Sequence, residues 1–192
     1  MKKEDKLNLT KERLIEATFS LMEKSDDPLA VTSRQIADAA GTKPSMINYC
    51  FGSRESLIHR TFEEKYMSLL NEEKVNEILN AGLAPKELLK QIHYEVAKLL
   101  VNNYNFTKAI TAFVLFKRDL ERESFSFPFV KQHFNGRKSD AECKLIAYEL
   151  STMMQLIICR KDDIKTAFGF DLDDRNGLRD FINMRIDFLL GD

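Results

Sequence analysis

The sequence predicts an all-α protein. Only seven Gly and four Pro occur in 192 residues, few for a chain built from many tight turns. The strong helix formers Leu, Glu, Lys, Ala and Met are abundant. Apolar residues also recur at spacings of three and four through most of the chain, the period of a helix with one buried face.

The elements follow in order. Leu14, Ile15, Ala17, Leu21 and Met22 share a helical face, with Thr10 as the expected cap, and "SDDP" at 25–28 should stop the helix. Thr32 with Gln35 reads as a capping box, and Val31 is placed to staple against Ile36. Ile36, Ala37 and Ala40 then face inward for two turns before Gly41, which suits the left-handed conformation that closes a helix. Thr42 is the expected cap of a next helix over 43–49, with Pro44 tolerated in its first turn. That helix carries Ile47 toward Phe51, and Ser53 caps a further start at Arg54.

From Arg54 the pattern lengthens. Leu57, Ile58, Phe62, Tyr66, Leu69, Leu70 and Ile78 predict one long helix ending near "NAGLAP". Pro85 opens the next, with Leu88, Leu89, Ile92, Val96, Leu99 and Leu100 on one face. Another, from near Asn105, holds Ile110, Phe113, Val114 and Leu120. "SFSFPFVKQHFNGRK" reads as irregular. Ser139 with Glu142 makes a second capping box before a helix to about 160, and the last helix spans about 174–190.

Composition narrows the function. The net charge is −1, and the first sixty residues hold ten basic and nine acidic side chains, so charge alone does not point to nucleic acid. Cys50, Cys143 and Cys159 form no C-x-x-C pair and fit a reducing compartment. No stretch reads as a signal peptide or membrane span, and the expected location is cytoplasmic. His59, His93 and His133 fall in no metal spacing, and no phosphate loop or G-x-S-x-G occurs. No enzyme activity, cofactor, catalytic residue or metal is expected.

Two short helices joined by a tight Gly turn have the geometry of a helix-turn-helix. The stretches "RLIEATFSLMEK" and "VTSRQIADAAGTKPSMINYCFGSRESL" resemble the DNA-binding domain of the tetracycline-repressor (TetR) family of transcriptional regulators. The resemblance rests on Ile36-Ala37, Ala40-Gly41, the run from Ile47 to Phe51, Ser53-Arg54-Glu55 and Leu57. The chain departs from the family's usual aromatic or His at Asn48 and Cys50. Cys50 also raises the idea of a thiol whose oxidation blocks DNA binding.

On that resemblance, residues 1–53 form a three-helix helix-turn-helix DNA-binding domain. A helix over 43–49 is sized for the major groove, presenting Lys43, Pro44, Ser45 and Met46 at its leading end. Asn48 is placed for an adenine edge or a phosphate, and Tyr49 for a sugar and a phosphate. Thr32, Ser33 and Arg34 open the preceding helix toward a phosphate, and Arg54 opens the following one. The competing reading makes Arg34 and Lys43 solvated charges and Tyr49 a core aromatic.

Residues 54–192 are then a helical ligand-binding and dimerisation domain. Twelve of fourteen Phe lie beyond residue 60. Tyr94, Phe113, Phe116, Phe125, Phe127 and Phe129 are candidates for an apolar pocket, with plain core packing as the alternative. The resemblance implies that the last two helices pair two copies in a four-helix interface. Expected partners are a palindromic double-stranded DNA operator, a second copy of the chain and a small apolar effector that relieves repression, with no membrane. The competing class is a TetR-like fold acting as a protein–protein adaptor or coactivator.

Overall fold

The computed structural model describes residues 3–25, 27, 30–65, 72–117, 119–120 and 124–191, with the backbone alone at 3 and 72–75. Among these the chain is all-α, with eleven helices and no strand. No helix among the described residues is long and apolar enough to cross a membrane. The helices are α1 (Lys3–Lys24), α2 (Ser33–Ala39), α3 (Ser45–Phe51), α4 (Arg54–Lys65), α5 (Glu72–Asn80) and α6 (Pro85–Asn102). They continue with α7 (Tyr104–Phe116), α8 (Phe127–Phe134), α9 (Asp140–Cys159), α10 (Lys161–Phe168) and α11 (Arg175–Leu190).

The chain divides into two compact units: residues 1–69 with 105–116, and residues 70–104 with 117–192. The boundary expected at 53/54 falls inside the first unit. The reason is packing: α4 buries Leu57, Ile58, Thr61 and Phe62, and it lies against α1. Within that unit Phe106 of α7 meets Phe19 of α1 and Phe62 of α4, with ring centroids 6.2 and 6.5 Å apart. In the second unit α6 is central, packed on α5, α8, α9 and α11, while α9 also carries α8, α10 and α11.

Local chemistry accounts for most boundaries. Both predicted capping boxes are present, Thr32 with Gln35 and Ser139 with Glu142, each joined by reciprocal hydrogen bonds. Ser53 caps α4 by accepting from the Ser56 N–H at 3.0 Å. Glu142, fully exposed, is held below the usual carboxylate range chiefly by the Ser139 backbone N–H.

Several elements differ from expectation. Thr10 is not a cap: α1 begins at Lys3, and the Thr10 hydroxyl donates to the Lys6 carbonyl inside the helix. Helix α3 begins at Ser45 rather than 43, because its entry is a tighter turn in which Met46 N–H reaches the Lys43 carbonyl. Thr42 therefore caps nothing, and Pro44 holds the cap position without a side-chain bond. Leu120 lies beyond α7 and is exposed.

The stretch read as irregular contains α8. Pro128 sits in its first turn, where a missing N–H costs nothing, and Phe127, Val130 and Phe134 bury at helical spacing. Helix α10 was not anticipated; it is eight residues long and buries no residue, with only Lys161 and Ile164 half-buried. The expected residues Tyr66, Leu69 and Leu70, and Asp26 and Pro28 of the predicted stop, lie outside the described residues. So does the join between α4 and α5.

Candidate nucleic-acid interface

The turn between α2 and α3 is built from backbone hydrogen bonds. Gly41 N–H bonds the Asp38 carbonyl and Thr42 N–H bonds the Ala37 carbonyl, the paired closure of a Schellman motif. Gly41 sits at φ 64° to make it, a conformation that disfavours a Cβ. The turn sends the chain straight into the Lys43–Ser45 bend, so four residues separate Ala40, the C-cap of α2, from the start of α3.

One residue orients α3. Ile47 is fully buried, and α3 packs through that side against α1, α2 and α4. The outward side of the helix then carries Ser45, Asn48 and Tyr49. Tyr49 is 66% exposed, far more than a core aromatic would be. Lys43 and Pro44, just ahead of the helix, are also exposed, and Met46 is half-buried.

The polar side chains here divide into two kinds. Arg34, Lys43, Ser45, Asn48 and Tyr49 make no side-chain hydrogen bond or ion pair among the described residues. Ser33 is half-buried and likewise uncommitted. Thr32 and Arg54 are engaged internally. Thr32 is occupied by its box, its hydroxyl 2.8 Å from Gln35 Oε1. Arg54 Nε donates to the Val31 carbonyl at 2.6 Å and Nη1 pairs with Glu55 at 3.1 Å. That guanidinium ties the start of α4 to the segment entering α2.

Cys50 lies on the other side of α3, in a groove with Asn8, Lys11, Glu12, Ile15, Phe51, Ser56, Arg60 and Glu64. Burial raises the Cys50 thiol pKa, with Lys11 pulling the other way. The thiol is thus mainly protonated near neutral pH, which lowers its reactivity toward oxidants.

The six aromatic pocket candidates are divided between the two units. Phe113 and Phe116 belong to the first unit; Phe113 lies tilted against the His59 ring with centroids 4.9 Å apart, and Phe116 is exposed. In the second unit Phe129 packs on the buried cluster of Ile78, Leu88 and Ile92. Phe125 is exposed with its ring 5.6 Å from Phe129, and Phe127 is buried beneath Lys131 and Lys144. Tyr94 is buried under the Arg179 guanidinium and lines an open cleft of about 560 Å³ with charged neighbours such as Glu87 and Lys90.

Helices α9 and α11 leave large apolar side chains outside the core. Leu145, Met153 and Leu156 are exposed on α9, and Met184 and Phe188 on α11. Sequence periodicity alone did not separate these from the inward-facing Leu150, Met154, Ile182 and Ile186, because both helices are apolar around much of their circumference.

Compared with known proteins, the chain matches no protein-family model, no curated protein and no solved structure.

Proposed function

We propose that this chain is a DNA-binding transcriptional regulator of the TetR type, a homodimeric repressor of palindromic operators released by a small apolar ligand. The observation that carries the reading is the exposed side of α3. A seven-residue helix anchored by buried Ile47 offers Ser45, Asn48 and Tyr49 to solvent, with Lys43 beside them, and none has a side-chain partner among the described residues. A helix of this size fits the major groove, where Asn reads adenine bidentately and Lys and Tyr meet phosphates.

The reading needs two heads, since one short helix contacts few base pairs. The exposed Leu145, Met153, Leu156, Met184 and Phe188 support α9 and α11 as the surface that pairs two copies. An effector then acts by binding one head spacing better than another; equal affinity for both would shift nothing.

The test is selection of genomic fragments by the purified 192-residue chain, read at several salt concentrations. Retention of an inverted repeat, with affinity falling steeply as salt rises, is the expected result. A folded dimer that enriches no sequence at low salt would sink the proposal.

A further inference from the structure

Among the described residues, two buried side-chain nitrogens lack a hydrogen-bond partner, His93 Nδ1 on α6 and Arg185 Nε on α11. Both residues line one small cavity of about 20 Å³ within the second unit, among α6, α9 and α11. The other eight lining side chains are all apolar, among them Met153, Met154 and Phe181.

The proton on His93 can be placed from its other nitrogen. Nε2 lies 2.8 Å from Ser126 Oγ, and both residues are buried, 5% and 3% exposed. The Ser126 hydroxyl has no other acceptor among the described residues. It therefore donates to Nε2, and the neutral ring carries its hydrogen on Nδ1. Burial lowers this imidazole's pKa to about 4, so the neutral form prevails at pH 7.

Two of the residues that line the cavity thus carry an unsatisfied donor, one of them on a permanent cation. Arg185 makes no ion pair among the described residues; its guanidinium lies 5.2 Å from the Phe188 ring centre. A water molecule fits poorly, because it would accept both bonds and then find only apolar side chains for its own hydrogens. A carboxylate oxygen accepts without donating and supplies the missing negative charge.

We propose that this cavity is the head of a binding site for an apolar monocarboxylic acid. Its carboxylate takes the His93 Nδ1–H and the Arg185 guanidinium, and its hydrocarbon tail lies along Met153, Met154 and Leu189. At about 20 Å³ the space holds the oxygen alone. The tail displaces the methionine side chains, which are unbranched and repack readily. This deepens the effector part of the proposed function and rests on that reading only for its consequence at DNA. Binding is measured without DNA, so the two fail separately.

The test is calorimetric titration of the full chain with octanoate, and with octanol as the same tail lacking the charge. Expected are one octanoate site per chain, binding of octanol at least tenfold weaker, and movement of the His93 ring ¹⁵N signals on octanoate addition. Arg185→Met should lose tenfold or more in octanoate affinity while its circular dichroism stays that of the parent. The ring signals of the unmutated protein keep the test decisive if that variant does not fold. No octanoate binding at millimolar concentration, or binding that leaves the His93 signals unmoved, overturns the proposal. A second copy is the rival source of the carboxylate, through exposed Glu149 on α9. If Glu149→Gln and Arg185→Met weaken self-association equally and non-additively, the donors serve that contact and the small-acid site is overturned.

Discussion

Lys43 and Arg54 are both cations of the head, but their surroundings assign them different work. Lys43 is exposed and has no ion pair among the described residues, whereas Arg54 is half-buried, bonded to the Val31 carbonyl and paired with Glu55. Lys43→Ala should leave the denaturation midpoint unchanged, weaken DNA binding several-fold and lower the salt slope by about one. Arg54→Ala should instead cost roughly 1.5–3 kcal/mol of stability, the typical value of a hydrogen bond to a charged group. Filter binding beside chemical denaturation of both variants checks the pair. His93 offers a separate test through pH. Its native pKa of about 4 lies below the free value of 6.5, so between these pH values the unfolded chain binds a proton that the native one refuses. Stability should fall as pH drops through that window, by about 3 kcal/mol at the bottom. The difference in denaturation free energy between wild type and His93→Gln, followed from pH 7 to 4, isolates the effect. A flat difference would mean the ring is not buried neutral.

Helix α3 depends on a single anchor. With seven residues it is far too short to hold a helix by propensity, and burial of Ile47 aligns it. Ile47→Ala should destabilise by about 2–5 kcal/mol, and Ile47→Val by about 0.5–1.5 kcal/mol. DNA affinity should follow that order although Ile47 touches no DNA, as fluorescence anisotropy on the Ala and Val variants would report. The starts and stops of the helices were legible where they were local chemistry: the two capping boxes, the Ser53 cap and the Gly41 closure all join residues three to five apart. They were misread where a propensity had two solutions. Thr10 bonds back to Lys6 within a helix as readily as it caps one, and Pro128 opens α8 although it also suits a loop. Helix α10 escaped the sequence reading because it is short and turns only Lys161 and Ile164 inward, too few positions to set a period.

Self-association is the property on which the DNA reading turns. Phe188 is 75% exposed on α11, beside Met184 and under the Arg185 guanidinium. If the chain pairs as proposed, Phe188→Asp should convert that dimer to a monomer in sedimentation velocity, with the helical content unchanged. The monomer should lose most affinity for an inverted repeat while keeping weak binding to a single half-site. A variant that stays dimeric would place the pairing surface elsewhere.

Helix content, caps and the turn between α2 and α3 belong to the sequence itself, because each rests on contacts within one turn of backbone. The all-α class and the short helix pair could therefore be read directly. Which apolar side chains are core and which face outward is a different kind of fact. Leu145 and Leu150 are alike in the sequence and opposite in exposure. Arg54 finds its acceptor 23 residues away, and Phe129 joins a cluster begun at Ile78. His93 and Arg185 line one cavity from more than ninety positions apart. Burial and hydrogen-bond satisfaction are decided by whichever segments fold alongside, and that choice is made only when the helices pack.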